Sequence, residues 1–168
     1  EITSRGVEGA ITVAIDTDKS ELDDTRALQK LLIGRHVVQG RGTGGDPNKG
    51  RRSAEDGRKV IQTIVEGAEL VFITAGLGGG SGTGISPIVA EEAKKAGAVV
   101  VGFVSTPFAV ERRKRMSIAA HGIKYLEGVV DGLIEYNHNL IVQDNQNKTI
   151  DKLFNVANEE IAKPIKDW

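Results

Sequence analysis

Residues 78–84 of this chain are Gly78, Gly79, Gly80, Ser81, Gly82, Thr83 and Gly84, set between an apolar stretch, 70–74, and a helix-forming segment, 88–95. The local order is strand, glycine-rich turn, helix. Residues almost bare of side chains give up packing and carry a high conformational-entropy cost, so such a run needs a reason. A helix start supplies one: its first amides have no intrahelical acceptor, and small residues let phosphate oxygens approach them. The competing reading, a flexible surface loop, fits poorly with a buried strand on one side and a helix on the other. A Walker-type phosphate loop is excluded, because Ile85 stands where Lys followed by Ser or Thr would be required.

The pattern extends along the chain. Residues 10–15 are a β-branched run that predicts a strand, closed by Asp16, Thr17 and Asp18, polar residues able to turn or cap. Leu28, Leu31, Leu32 and Val37 fall at near-helical spacing and predict a helix over 22–39. Gly40, Gly42, Gly44, Gly45 and Pro47 then break regular structure, and residues 54–66 read as an amphipathic helix with Gly67 at its stop. A helix over 86–95 precedes a continuous apolar run, 98–104, of the kind buried on both faces in a parallel sheet. A helix over 111–128, a weaker strand over 132–136 and a last helix over 149–165 complete the series. Strand and helix alternate throughout, which predicts an α/β fold: a three-layer sandwich, Rossmann-like, with a mostly parallel sheet and helices on both faces.

At 168 residues the chain has the size of one domain, and 1–168 is read as a single unit. Residues 1–9 read as the tail of a helix, so the expectation is an excerpt of a longer protein, begun after its first strand and ended after its last helix. A formal net charge of -1 offers no basic field for nucleic acid. The absence of cysteine removes disulfides and thiolate metal sites and suits a reducing, cytoplasmic setting. No apolar run approaches the roughly 18 residues of a membrane span, so no direct membrane insertion is expected. His36, His121 and His138 are scattered and have no metal-ligand spacing.

Gly40, Gly42 and Gly45 have the spacing of a dinucleotide fingerprint, yet they follow a predicted helix instead of a strand and open no immediate predicted helix. A dinucleotide-dependent oxidoreductase is the alternative they leave. The run from Thr74 to Gly84 resembles the signature of the tubulin and FtsZ superfamily, with Ser81 where the usual form has Thr. The resemblance extends to residues 14–18, to 40–50, and to Thr106, Pro107 and Phe108 followed by 111–116, so it covers nearly the whole chain. It is closer to FtsZ than to eukaryotic tubulin in the turn at Pro107 and Phe108 and in the run Arg113, Lys114, Arg115, Met116.

The resemblance implies the guanine-nucleotide-binding domain of an FtsZ-like polymerising GTPase, in which GTP is hydrolysed at the junction between filament subunits. A non-hydrolysing scaffold of the same fold is the alternative. GTP or GDP would be the bound nucleotide, further copies of the protein the partner, and Mg2+ would be held through phosphate and water. Gly78, Gly79, Gly80, Ser81, Gly82 and Thr83 would wrap the phosphates with backbone amides and two hydroxyls. The loop 42–50, with Gly44, would sense the terminal phosphate. Glu111 would accept from the ribose hydroxyls and Arg115 would lie near the nucleotide. Phe154 would stack on the base, Asn158 would read the guanine edge, and Asn137, or Asn139 if the local spacing slips, would also meet the base. Taken as residues alone, Glu111 and Arg115 can pair with each other one helical turn apart. Phe154 and Asn158 can likewise be a core and a surface residue of one helix. Arg112, Arg113 and Lys114 read as a solvated face. Asp16, Asp18 and Asp46 either orient magnesium waters or act as turn and cap residues. The family's catalytic acids would fall in a loop beyond Trp168, so no catalytic residue is assigned and this chain by itself is expected not to hydrolyse GTP.

Overall fold

The computed structural model describes residues 10–108 and 113–137. In chain order these form β1 (Val13–Asp16), α1 (Lys19–Asp23), β2 (Gln29–Leu32), α2 (Arg35–Val38), α3 (Pro47–Asp56) and α4 (Arg58–Val65). There follow β3 (Leu70–Gly76), α5 (Gly80–Lys95), β4 (Val99–Thr106), α6 (Arg113–Glu127) and β5 (Gly132–Asn137). Each pairing between these strands is parallel: β1 with β2, β3 with β4, and β4 with β5. The architecture is the α/β class that the alternating pattern predicts.

β4 shows why its sequence is apolar without interruption. Val100 and Val104 are fully buried beneath α5 and α6, while Phe103, on the opposite face, is 1% exposed. Its ring meets Phe72 edge-on, with centroids 5.7 Å apart. One apolar cluster therefore joins β3 and β4 to α5 and α6 through Ile73, Ala90, Ala93 and Leu126. A second joins α3, α4 and α5 to the other strand pair, with Ala54, Ile61, Ile85 and Ile88 packed beside Ile15 and Leu31. Two helices enter both clusters: α4 through Val65 and Ile61, and α5 through Ala90 and Ala93 on one side and Ile85 and Ile88 on the other.

α5 fits between its neighbours because its first half is small. A Cβ on Gly84 would overlap the Pro47 carbonyl oxygen and lie 2.6 Å from Arg51 N and 2.9 Å from Gly50 C, all backbone atoms of α3. Further along, a buried ion network fastens α4 to α5. Glu92, 1% exposed, accepts from Gln62 at 2.6 Å, from Lys95 at 2.7 Å and from Arg58, while Arg58 also reaches Glu91 at 3.2 Å. Burial pushes the Glu92 carboxyl up, but the hydrogen bonds from Lys95, Gln62 and Arg58 outweigh it, and the group is held below its ordinary value.

Four expectations are corrected. The predicted helix 22–39 is α1, β2 and α2 in succession. Residues 29–32 pair in register with β1, and Gly34, at φ +70, ends any continuation, so sheet pairing overrides a spacing that looked helical. Leu28, one of the residues that suggested the helix, is 75% exposed. The predicted helix 54–66 is two helices meeting at Gly57, and the first begins at Pro47. Hence the glycines 40–45 do open a helix, capped by Asp46 with Pro47 in its first turn, a signal legible in the sequence. They still follow α2 and not a strand, so the dinucleotide pattern lacks its context. Lastly, the predicted start of α5 at 86 moves back to Gly80, and most of the glycine run is helix. The expected segments 1–9 and 149–165 lie outside the described residues.

Candidate functional site

In a parallel α/β sheet, ligands settle beyond the carboxyl ends of the strands. β1 ends at Asp16, β3 at Gly76 and β4 at Thr106, and the segments that follow β1 and β3 meet in front of α5. α5 is preceded by Gly79 at its N-cap, whose backbone is extended and which gives no side-chain cap. Gly78, at φ +98, turns its amide inward to donate to Thr83 Oγ1 at 2.9 Å. A Cβ on Gly79 would find no atom nearer than Arg115 Nη2, at 3.9 Å, so the space ahead of the first turn is open. The loop 42–46 borders this space: a Cβ on Gly80 would overlap Thr43 Oγ1 and stand 2.8 Å from the Asp46 carbonyl oxygen. Gly44, at φ +61, has nothing within 4 Å of such a position and is exposed. From the other side, Arg115 Nε donates to the Gly78 carbonyl at 3.4 Å.

The structure corrects the reason for the bare run. At Gly80 and Gly84 it is protein backbone and Thr43 that approach, and at Gly82 a Cβ would overlap the Gly76 carbonyl oxygen. Gly79 is the position left open to a ligand. The two hydroxyls have partners within the protein. Thr83 is buried with its oxygen on Gly78 N, and Ser81 Oγ donates to Asp16 Oδ1 at 2.9 Å. The first-turn amides of α5 have no intrahelical acceptor and no side-chain cap from Gly79.

Asp16 Oδ1 also receives Thr17 N at 2.6 Å and Asp18 N at 3.1 Å, and Thr17 Oγ1 lies 3.0 Å from Ser81 Oγ. Asp18 caps α1 through Ser20 N, and Asp46 caps α3 through Asn48 N, each at 2.9 Å. All three acids thus serve as turn or cap residues. Among the described residues no group of three or more His, Cys, Asp or Glu is arranged to hold a metal ion. The fully buried Thr17 was not singled out by sequence; its one signal is its place between two acids at a strand end.

Gly78 to Thr83 lead into and form the start of α5, Arg115 reaches it from α6 through the Gly78 carbonyl, and Gly44 lies in the neighbouring loop 42–46. Arg113 and Lys114 are exposed, as a solvated face requires. Asn137 ends β5 in register with Thr106, and only its backbone is described. Glu111, Asn139, Phe154 and Asn158 lie outside the described residues. A separate groove of about 560 Å³ opens between α3, α5 and α6, lined by Arg51, Pro87, Ile118 and Tyr125 among others. Of the predicted site residues it touches only Thr83. No helix among the described residues is long and apolar enough to cross a membrane.

Parallel strands whose ends converge on an uncapped, glycine-bearing helix start define a Rossmann-like α/β domain with an anion-receptive mouth. The match to a family model described as the Tubulin/FtsZ family, GTPase domain, covers residues 3–160, and the chain belongs to that family. It is 45% identical over 161 residues to cell division protein FtsZ 2 of Haloferax volcanii, an alignment covering 96% of this chain and 40% of that protein. Among solved structures, one described as an empty FtsZ dimer from M. jannaschii superposes with a TM-score of 0.93 at 38% identity, covering 98% of this chain and 48% of the other. A GTPγS-bound CetZ2 protofilament from Haloferax volcanii gives 0.85 at 25% identity, covering 98% of this chain and 51% of that one. The chain thus spans two fifths to one half of the length of these relatives.

Proposed function

We propose that this chain supplies the guanine-nucleotide site of an FtsZ-like polymerising GTPase, with the phosphates of GTP or GDP over the first turn of α5. The observation that carries the reading is Gly79: an uncapped helix start with open space ahead of it, in a segment otherwise packed tightly. The partial positive charge and free amides of a helix N-terminus favour an anion at that place. Gly44, in the loop 42–46, would border the terminal phosphate, and Arg115 would approach from α6. Glu111 would take the ribose hydroxyls, and Asn137, Phe154 and Asn158 the base, as the family resemblance implies. Mg2+, reached through phosphate oxygens and water, would neutralise phosphate charge; Asp16, Asp18 and Asp46 have their Oδ1 atoms engaged with protein donors and offer no ready-made cage.

A second copy of the protein is the proposed partner, with hydrolysis completed where subunits meet end to end in the cytoplasm. The GTPγS-bound protofilament formed by a family relative supports both the ligand and the assembly. Titration with fluorescent GTP and ATP tests the site. Saturable binding that GTP displaces better than ATP or a nicotinamide dinucleotide is expected, and no saturable GTP binding would refute the reading. Sedimentation with and without GTP tests the assembly, with pelleting that depends on the nucleotide as the expected result.

A further inference from the structure

We propose that Asp16 is a positioning residue that, through Ser81, sets the two phosphate-facing segments relative to each other. The proposal rests on the guanine-nucleotide reading above for its functional part. Asp16 ends β1 and Ser81 lies in the first turn of α5, 65 residues later in the chain. No strand pairing among the described residues joins β1 and β2 to β3, β4 and β5, and among these residues it is side chains that link the two sets at the mouth. Apolar packing of Ile15 near Ile85 and Ile88 supplies the deeper part. At the mouth the link is polar and directional. Ser81 donates to Asp16, Thr17 Oγ1 stands 3.0 Å from Ser81 Oγ, and the Asp16 carboxylate is itself oriented by two backbone amides.

The loop 42–46 takes its reference from the same turn. Gly42 N donates to the Thr17 carbonyl at 3.2 Å, Arg41 pairs with Asp18 in an isolated bridge, and Lys19 N donates to the Gly40 carbonyl at 3.1 Å. Residues 16–18 therefore hold both the helix start and the loop beside it. Removing the Asp16 carboxylate takes away the charge-assisted tie between residues 16–18 and the helix start, while the Thr17–Ser81 contact and the apolar clusters remain. The effect of Asp16 on nucleotide passes through Ser81 and the turn.

Amide exchange in the 168-residue chain tests the clasp without reference to nucleotide. Asp16→Ala and Ser81→Ala are each expected to speed exchange of the amides closing the first turn of α5 about tenfold, as for loss of one charge-assisted hydrogen bond. The effects in the double variant should be less than additive, because the Asp16–Ser81 hydrogen bond is lost in both single variants. Exchange in β4 should not change. Ser81→Thr and Asp16→Asn, which keep a donor and an acceptor, should stay near the parent. First-turn exchange equal to the parent in Asp16→Ala, or additive effects in the double variant, overturns the clasp whether or not GTP binds. In the GTP titration both alanine variants should bind about tenfold more weakly than the parent, with a less than additive loss in the double variant. Equal binding by all forms overturns the link to nucleotide. Absence of binding by the parent counts against the proposed function, and the exchange result then decides the clasp alone.

Discussion

Replacing Gly84 by Ala separates packing from ligand contact in the glycine run. The new methyl would overlap the Pro47 carbonyl oxygen and lie 2.6 Å from Arg51 N and 2.9 Å from Gly50 C. Ordinary carbon contacts need about 3.5 Å, and none of these atoms can rotate away, so α3 must move bodily from α5. Overpacking of this kind costs about 1–3 kcal/mol, and contact with rigid backbone belongs at the upper end. Against it stands a gain of about 1 kcal/mol, because Ala favours a helix interior over Gly. The expected net is a loss of about 2 kcal/mol, or about 4–8 °C in the thermal midpoint for a chain of this size. Urea unfolding followed by far-UV circular dichroism measures it. Gly79→Ala is the control: its methyl meets nothing closer than 3.9 Å, so stability should stay within about 0.5 kcal/mol of the parent. GTP binding should fall in Gly79→Ala, because the methyl occupies the open space. Equal stability of Gly84→Ala and the parent would refute the claim that α3 sets the size limit at position 84.

Other consequences can be measured in the same way. Glu92 is held below its ordinary value of 4.5, so its contribution to stability is present above that pH and is lost as pH falls through its lower folded-state value. Glu92→Gln should flatten the acid limb of stability against pH while lowering stability at neutral pH, and an unchanged acid limb would contradict the network. Phe103→Ala, at a residue 1% exposed against Phe72, should cost about 3–5 kcal/mol in urea unfolding; a loss below about 1 kcal/mol would show that this face of β4 is loosely packed. Ser53 Oγ is buried with no hydrogen-bond partner among the described residues, so Ser53→Ala should be neutral or stabilising by up to about 1 kcal/mol. Clear destabilisation in that variant would mean the hydroxyl has a role in the helix α3 that its contacts do not show.

What the sequence revealed follows from the range of the forces involved. The apolar run at 98–104 announced a strand buried on both faces, since a central parallel strand has no polar side to declare. The glycine run announced a helix start, but not which glycine serves what. Gly79, Gly80, Gly82 and Gly84 look alike in sequence and differ only in what lies opposite, Arg115 in one case and backbone of β3 or α3 in others. The segment 29–32 misled because a short apolar run with mixed spacing is settled by its pairing partner β1, which is 16 residues away along the chain. Asp46 followed by Pro47 carried a local cap signal that a reading by apolar periodicity passed over. The Asp16 to Ser81 hydrogen bond had no local signal, because it joins residues that only the fold brings together.

α5 is also a mechanical element. Ladder hydrogen bonds within β3, β4 and β5, and those between β1 and β2, resist shear as a group, whereas among the described residues the two sets meet across side chains, most of them borne by α4 and α5. A tension applied between the sets falls on those side-chain contacts, those of α5 among them. Gly79 lies at one end of α5, and a small roll of the helix changes its gap to the loop 42–46 before either sheet deforms. A displacement between the two strand sets would therefore register at this end of α5 first.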